Sequence, residues 1–247
     1  MTAIAYNERG SAVVIGAGDA TGGAVAAAFA KTGLTAVPVR RSADALRPLV
    51  DQIVESGGQC VAIAGDGRDE DAMIALFDRV EREIGPVEVL VFNIGANSPM
   101  PILDETVRRY RKIWEMCALA GFITGREAAR RMVPRGRGTI IFTGVTASLR
   151  GSAGFAGFSG GKFALRSLAQ AMARELGPKG IHVVHAIIDG AIDTDFIRSN
   201  FPDRYALKDE DGILDPEAIA AEYVRLHQQP RSAWTHELEL RPWLERW

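Results

Sequence analysis

Short apolar runs alternate with longer amphipathic segments along most of the chain. The runs are rich in valine and isoleucine and nearly free of polar interruptions, which is typical of strands buried on both faces of a parallel sheet. Six of them are predicted as strands: residues 12–15, 35–39, 60–64, 87–92, 139–142 and 182–188.

The stretches between these runs show the apolar periodicity of helices. The predicted helices cover residues 22–31, 44–56, 69–84, 106–132, 155–176 and 216–227, and a last strand is expected within the tail that begins at Glu237. Regular alternation of strand and helix implies right-handed crossovers. We therefore expect an α/β fold: a single doubly wound Rossmann-type domain over residues 1–247, with a mainly parallel sheet and helices on both faces.

Residues 193–212 lack clear periodicity and carry Pro, Asp and Asn. Long aperiodic connections are often functional, so this segment is interpreted as a possible mobile substrate lid. An ordered surface loop is the alternative.

A glycine-rich turn follows the first predicted strand. Gly16, Gly18 and Gly22 are spaced G-x-G-x-x-x-G and lead into a strong helix start. A strand, a glycine turn and a helix N-terminus together form the arrangement that holds a dinucleotide pyrophosphate. The motif therefore predicts dinucleotide binding.

The second predicted strand ends at Arg40 and Arg41. The ribose 2′ position of a bound dinucleotide lies near the end of this strand, and a guanidinium fork matches the oxygens of a 2′-phosphate. The pair favours NADP(H) over NAD(H). Two solvated surface arginines are the alternative, and Asp19 would oppose a phosphate if it pointed the same way.

The composition of the chain argues against several classes of binding partner. A net charge of −2 gives no electrostatic case for nucleic acid or an anionic membrane, and the histidines and cysteines lack zinc-ligand spacing, so no metal is expected. Two cysteines form no disulfide framework. With no signal peptide and no apolar run of spanning length, the expected location is cytoplasmic.

The ordered set of motifs resembles the short-chain dehydrogenase/reductase family over nearly the whole chain. Asp66 follows the third strand, Asn93-Ile94-Gly95 is similar to the end of an N-N-A-G motif, and Asp189 stands where the family has a proline. The resemblance implies cofactor contacts at Gly16, Gly18, Ala20, Gly22, Arg40, Arg41, Asp66, Gly67, Asn93, Gly95, Lys162, Gly190, Ile192 and Thr194.

The family's catalytic side chains are largely replaced. Lys162 matches the active-site lysine, but Phe158 occupies the position of the tyrosine acid. Val145 and Ala118 fall where the serine and the asparagine are expected. Without a hydroxyl, Phe158 cannot act as a general acid, a contribution of about 10²- to 10⁴-fold in rate.

Two classes of function remain open. The first is an NADP(H)-dependent oxidoreductase acting on a small apolar carbonyl, imine or activated alkene, with a non-standard proton donor. The donor candidates are Thr146, Ser148, Ser152, Asp189 and Tyr205. The second is a catalytically silent nucleotide-binding or scaffold protein. The resemblance also implies a homodimer or homotetramer.

Overall fold

The computed structural model describes residues 10–18, 20–95 and 98–245. Eight strands form one sheet: β1 (Ser11–Ile15), β2 (Thr35–Arg40), β3 (Gln59–Cys60), β4 (Ile63–Ala64), β5 (Val87–Phe92), β6 (Thr139–Val145), β7 (His182–Ile188) and β8 (Glu237–Leu240). Their order is β3-β2-β1-β5-β6-β7-β8, with β4 also paired to β2, and every pairing is parallel.

Helices connect the strands and cover both faces of the sheet. They are α1 (Thr21–Lys31), α2 (Arg47–Glu55), α3 (Glu70–Arg79), α4 (Val107–Trp114), α5 (Ala120–Met132), α6 (Ala156–Leu176), α7 (Asp195–Asn200), α8 (Pro202–Tyr205) and α9 (Pro216–His227). The core has two halves, one between the sheet and α3, α5 and α6, the other between the sheet and α1, α2 and α9. The doubly wound fold predicted from the sequence is confirmed.

The elements differ from the predicted ones in a few places. The predicted strand at 60–64 is two short strands, β3 and β4. The predicted helix at 106–132 is interrupted by a π-helical turn at Glu115–Leu119, between α4 and α5. Residues 193–212, which lacked periodicity, form α7, α8 and a 3₁₀ segment at Ala206–Glu210.

The carboxyl ends of β1, β2, β5, β6 and β7 meet at one edge of the sheet, because all the strands run parallel. The strand order reverses between β1 and β5, which is where an open α/β sheet leaves a crevice for a ligand. Among the helices of the described ranges, none is both long and apolar enough to span a membrane.

Candidate active site

The turn after β1 brings its own glycines close together and lies against the residue that follows β5. Gly16 has a φ of +87°, and a Cβ there would lie 3.0 Å from the backbone of Asn93. A Cβ on Gly22 would lie 2.6 Å from the Gly16 carbonyl oxygen. The Asn93 side-chain amide donates a hydrogen bond to that same oxygen at 3.2 Å. Glycine at both positions is therefore a requirement of the turn.

The N-terminus of α1 fits a phosphate group. Ala20 precedes the helix, no described side chain caps it, and the first turn holds no acidic residue. The positive end of the helix dipole and the first-turn amides favour an anion there, although the Gly23 amide already donates to the Gly18 carbonyl at 2.9 Å. The space around Gly18 and Gly95 is open, since a Cβ at either would meet no atom within 4 Å. Asp19, which the sequence flagged as a possible repulsive charge, lies outside the described residues.

A cleft of about 230 Å³ runs from this turn along the strand ends. It is lined by Ile15, Gly16, Ala17, Gly18, Val39, Arg40, Arg41, Gly65, Asp66, Gly67, Arg68, Asn93, Ile94, Gly95 and Met116. The cleft thus brings together eight of the residues predicted to contact the cofactor, including both arginines.

Asp66 has a partner that the sequence analysis missed. Arg68 donates from Nε to Asp66 Oδ1 at 3.0 Å and from Nη2 to Oδ2 at 2.6 Å. The Arg68 hydrogen bond lowers the pKa of the Asp66 carboxyl, with a smaller contribution from the charge of Arg41. An ion pair two residues apart depends on the turn that joins β4 to α3, and residue type alone does not reveal it.

Lys162 lies in the fully buried interior of the site, on α6. Its Nζ donates to the Thr143 carbonyl at 2.8 Å and to the Ile94 carbonyl at 3.1 Å. Burial lowers the pKa of this ammonium. The lysine thereby links the ends of β5 and β6, the two strands next to the crevice.

The positions of the missing hydroxyls form an apolar cluster. Phe158 is 6% exposed and packs with buried Ile113 and Cys117, and half-buried Val145 lies against the same cluster. The Phe158 ring centroid is 6.0 Å from Lys162 Nζ. Ala118, at the asparagine position, is buried within the π-helical turn. Hydrocarbon therefore occupies the region where the family's tyrosine and serine hydroxyls are expected.

A polar network lies directly beside this cluster. Val145 pairs in register with Ile188, so the residues that follow them, Thr146 and Asp189, are neighbours. The Thr146 hydroxyl donates a hydrogen bond to Asp189 Oδ1, and Asp189 is only 3% exposed. Arg241 approaches Asp189 Oδ2 at 3.3 Å and also pairs with Glu239. The sequence could not place Arg241 here, because it follows β8, far along the chain.

The other proton-donor candidates have different surroundings. Ser148 Oγ accepts from the Val145 amide at 3.1 Å, as part of a local turn. Tyr205 hydrogen-bonds Asp193 and helps to lower the pKa of that carboxyl, after the larger effect of Lys208. Ser152 is exposed. Only Thr146 and Asp189 among the five candidates are joined to each other.

The remaining predicted cofactor contacts lie after β7. Gly190 has a φ of +150°, and a Cβ there would lie 2.7 Å from Pro242. Ile192 forms an isolated bridge with Leu214. The Thr194 hydroxyl accepts from the Ile197 amide at 3.1 Å and caps α7. These residues connect the crevice to the helical segment at 195–210.

The fold and the glycine turn define a doubly wound α/β protein of the nucleotide-binding type. The sequence model described as short chain dehydrogenase matches residues 11–204. The chain belongs to the short-chain dehydrogenase/reductase family of oxidoreductases, as the sequence motifs predicted.

Individual relatives show the same relationship. The chain is 32% identical over 188 residues to a 7alpha-hydroxysteroid dehydrogenase of Escherichia coli (strain K12), covering 76% of this chain and 73% of the relative. The crystal structure of a short-chain dehydrogenase from Rhodopseudomonas palustris is 46% identical, with a TM-score of 0.82, and covers 95% of this chain and 99% of that one. A metagenomic short-chain oxidoreductase in complex with NADP shares the fold at 24% identity, with a TM-score of 0.80 and coverage of 94% and 97%.

Proposed function

We propose that the protein is an NADP(H)-dependent oxidoreductase that transfers hydride to or from a small apolar substrate, with Thr146 and Asp189 handling the proton. The substrate is a carbonyl compound, an imine or an activated alkene. We further propose that residues 1–247 form one domain and that residues 193–212 act as its substrate lid.

The cofactor assignment rests on the crevice at the strand ends. Its glycine turn, its uncapped helix N-terminus and its open space beside Gly18 and Gly95 fit a dinucleotide. Arg40 and Arg41 line the same cleft and supply the positive charge that a 2′-phosphate requires. The bound nicotinamide would supply the hydride or accept it.

One observation carries the proton assignment: the hydrogen bond from Thr146 to the buried carboxylate of Asp189. The hydroxyl stands one residue after Val145, at the edge of the apolar cluster. During oxidation, a substrate hydroxyl would give its proton to Thr146 Oγ1 while the Thr146 proton passes to Asp189 Oδ1. During reduction, the two protons would move in the opposite direction. Arg241 keeps the carboxylate oriented throughout.

The substrate class follows from the walls of the site. Phe158 and Val145 offer no hydrogen bond, so a strongly polar substrate would lose its hydration without compensation. A protonated imine already carries its positive charge and needs no acid at the Phe158 position. An apolar ketone, in contrast, depends on the Thr146–Asp189 pair.

The experiment is a turnover assay with NADPH on a panel of apolar ketones, cyclic imines and enones. Thr146→Val and Asp189→Asn are expected to slow ketone reduction by about 10²- to 10⁴-fold, the usual contribution of a positioned proton donor. Reduction of preformed iminium ions should change less than about threefold. NADPH affinity should stay within about threefold of wild type in both variants.

Ser152→Ala is the matched control, because it removes an exposed hydroxyl from the same region of the chain. It should leave every rate unchanged. Ketone turnover that survives both Thr146→Val and Asp189→Asn would refute the assignment of the proton pair. Circular dichroism of each variant separates a chemical loss from a folding defect.

The second candidate function is a silent nucleotide-binding protein. The buried packing of Phe158 against Ile113 and Cys117 supports it, as does a Lys162 ammonium that already donates to two carbonyls. NADPH binding without turnover of any panel substrate would favour this candidate. In that case, the double variant Val145→Ser/Phe158→Tyr should acquire measurable ketone reduction.

We further propose a homodimer or homotetramer assembled through the long helices. Large apolar side chains are exposed on α4, α5 and α6: Tyr110, Trp114, Phe122 and Phe163. Exposed large aromatic side chains on neighbouring helices suit a subunit interface, where such residues are enriched. Sedimentation at several protein concentrations tests the assembly.

The unpaired cysteines Cys60 and Cys117 suit a reducing compartment, in keeping with the cytoplasm as the proposed location.

A further inference from the structure

A second cleft, of about 510 Å³, adjoins the nucleotide cleft on the side of α4. Its walls are mostly cationic: Arg68, Val107, Arg108, Arg111, Lys112 and Glu115. Arg68 belongs to both clefts, since it also lines the pocket that contains Arg40 and Arg41. Arg68, with its ion pair to Asp66, therefore lies where the two clefts adjoin.

Three cations of this second cleft have no acidic partner in the described part of the chain. Arg108, Arg111 and Lys112 form no ion pair within 4.0 Å, although Glu115 borders the same cleft. Neighbouring arginines behave differently: Arg109 pairs with Glu105, and Arg126 pairs with Glu70 and Glu127. Uncompensated positive charge is thus concentrated in this cleft.

The placement of these cations is unfavourable for the helix that carries them. Arg108 is three and four residues before Arg111 and Lys112, so the three charges share one helix face. Like charges at these spacings repel, and Arg108 also lies in the first turn, at the positive end of the helix dipole. An anion in the cleft would relieve both repulsions.

We propose that this cleft is a second anion-binding site, which takes a small ligand carrying phosphate-type charge next to the nucleotide site. Arg108 and Arg111 on α4 line the cleft with planar guanidinium donors that suit such a group. Arg68 already donates from Nε and Nη2 to Asp66, so it can add only its remaining N–H groups. Glu115 also lines the cleft, and its negative charge disfavours a long polyanion relative to a compact ligand. The inference does not depend on the redox chemistry proposed above.

The test uses inorganic pyrophosphate as the probe and isothermal titration calorimetry as the readout, at low ionic strength, with and without saturating NADPH. The cleft variant is Arg108→Gln/Arg111→Gln/Lys112→Gln. The control variant, Arg150→Gln/Arg174→Gln/Lys31→Gln, removes the same number and type of exposed charges elsewhere. A third variant, Arg41→Gln, reports binding in the nucleotide cleft.

The wild-type protein is expected to bind one pyrophosphate saturably when NADPH is present. The cleft variant should bind it at least tenfold more weakly, whereas the control and Arg41→Gln variants should stay within about twofold. Equal losses in the cleft and control variants would overturn the proposal, because binding would then follow net charge alone. Displacement of pyrophosphate by NADPH, or tighter binding of a 20-nucleotide single strand at this face, would also overturn it.

If NADPH itself fails to bind, the titrations without cofactor still show whether pyrophosphate binds in the second cleft. In that arm, a loss confined to the cleft variant supports the second site, while a loss confined to Arg41→Gln assigns the probe to the nucleotide cleft. Circular dichroism confirms that each variant is folded. Failure of the proposed redox function and failure of the anion site therefore give different results.

Discussion

Replacement of Phe158 by alanine tests whether the former tyrosine position has become a packing position. A buried aromatic side chain removes about 150–250 Å² from water, which corresponds to about 4–6 kcal/mol at about 25 cal/mol per Å². Measured Phe→Ala changes in cores cost about 3–5 kcal/mol. The half-buried neighbours Val145, Ala147 and Phe155 can collapse partly into the cavity. We therefore expect Phe158→Ala to lower the free energy of unfolding by about 3 kcal/mol.

Urea denaturation followed by far-UV circular dichroism measures this change, as a shift of the midpoint at constant slope. Phe158→Leu keeps most of the apolar volume and should cost less than about 2 kcal/mol. Phe196→Ala is the control, because it removes the same side chain from a position that is 62% exposed and lies outside the proposed subunit interface. It should cost less than about 1 kcal/mol when measured at two protein concentrations. A cost below about 1 kcal/mol for Phe158→Ala would refute the packing role.

Two further predictions concern stability. A Cβ on Gly144 would lie 2.3 Å from His185 Nε2, so Gly144→Ala should destabilise the fold by about 1–3 kcal/mol, measured as a lower melting temperature. Gly177→Ala is the control. A Cβ at Gly177 would meet no atom within 4 Å and its φ is helical, so this change should be neutral or slightly stabilising. Burial lowers the pKa of His185 to about 4 despite its contact with Glu237. The unfolded chain binds this proton more tightly between about pH 6.5 and 4, so stability should fall as the pH falls through that window, by up to about 3 kcal/mol. Urea midpoints of His185→Gln should decline less steeply over the same window, and parallel curves for the two proteins would show that His185 does not contribute.

The fold could be predicted because its signals are local. Each strand of the sheet is a short Val/Ile-rich run, and α9 was predicted with the bounds that the structure shows. The π-helical turn at Glu115–Leu119 was missed because one extra residue in a turn hardly alters a pattern of apolar spacings. The helices at 195–210 were missed because α7 and α8 have six and four residues, too short to show periodicity.

The site was predictable in part, for a different reason. The glycine turn and the strand-end residues are fixed by sequence position relative to a strand, so the structure gathers them in one cleft. The partners of Asp189 depend on the register of β6 against β7 and on the return of the chain through β8. The pairing of Arg68 with Asp66 depends on the turn after β4. Such contacts are properties of the folded chain, and no local pattern encodes them.

Titration of the purified protein with NADPH and with NADH, followed by tryptophan fluorescence, tests most directly whether the crevice binds NADP(H). NADPH is expected to bind at least tenfold more tightly than NADH, a difference of about 1.4 kcal/mol or more. The double variant Arg40→Gln/Arg41→Gln should reduce that preference to less than about threefold. Binding of neither nucleotide, or a preference for NADH that the double variant leaves unchanged, would contradict the proposal.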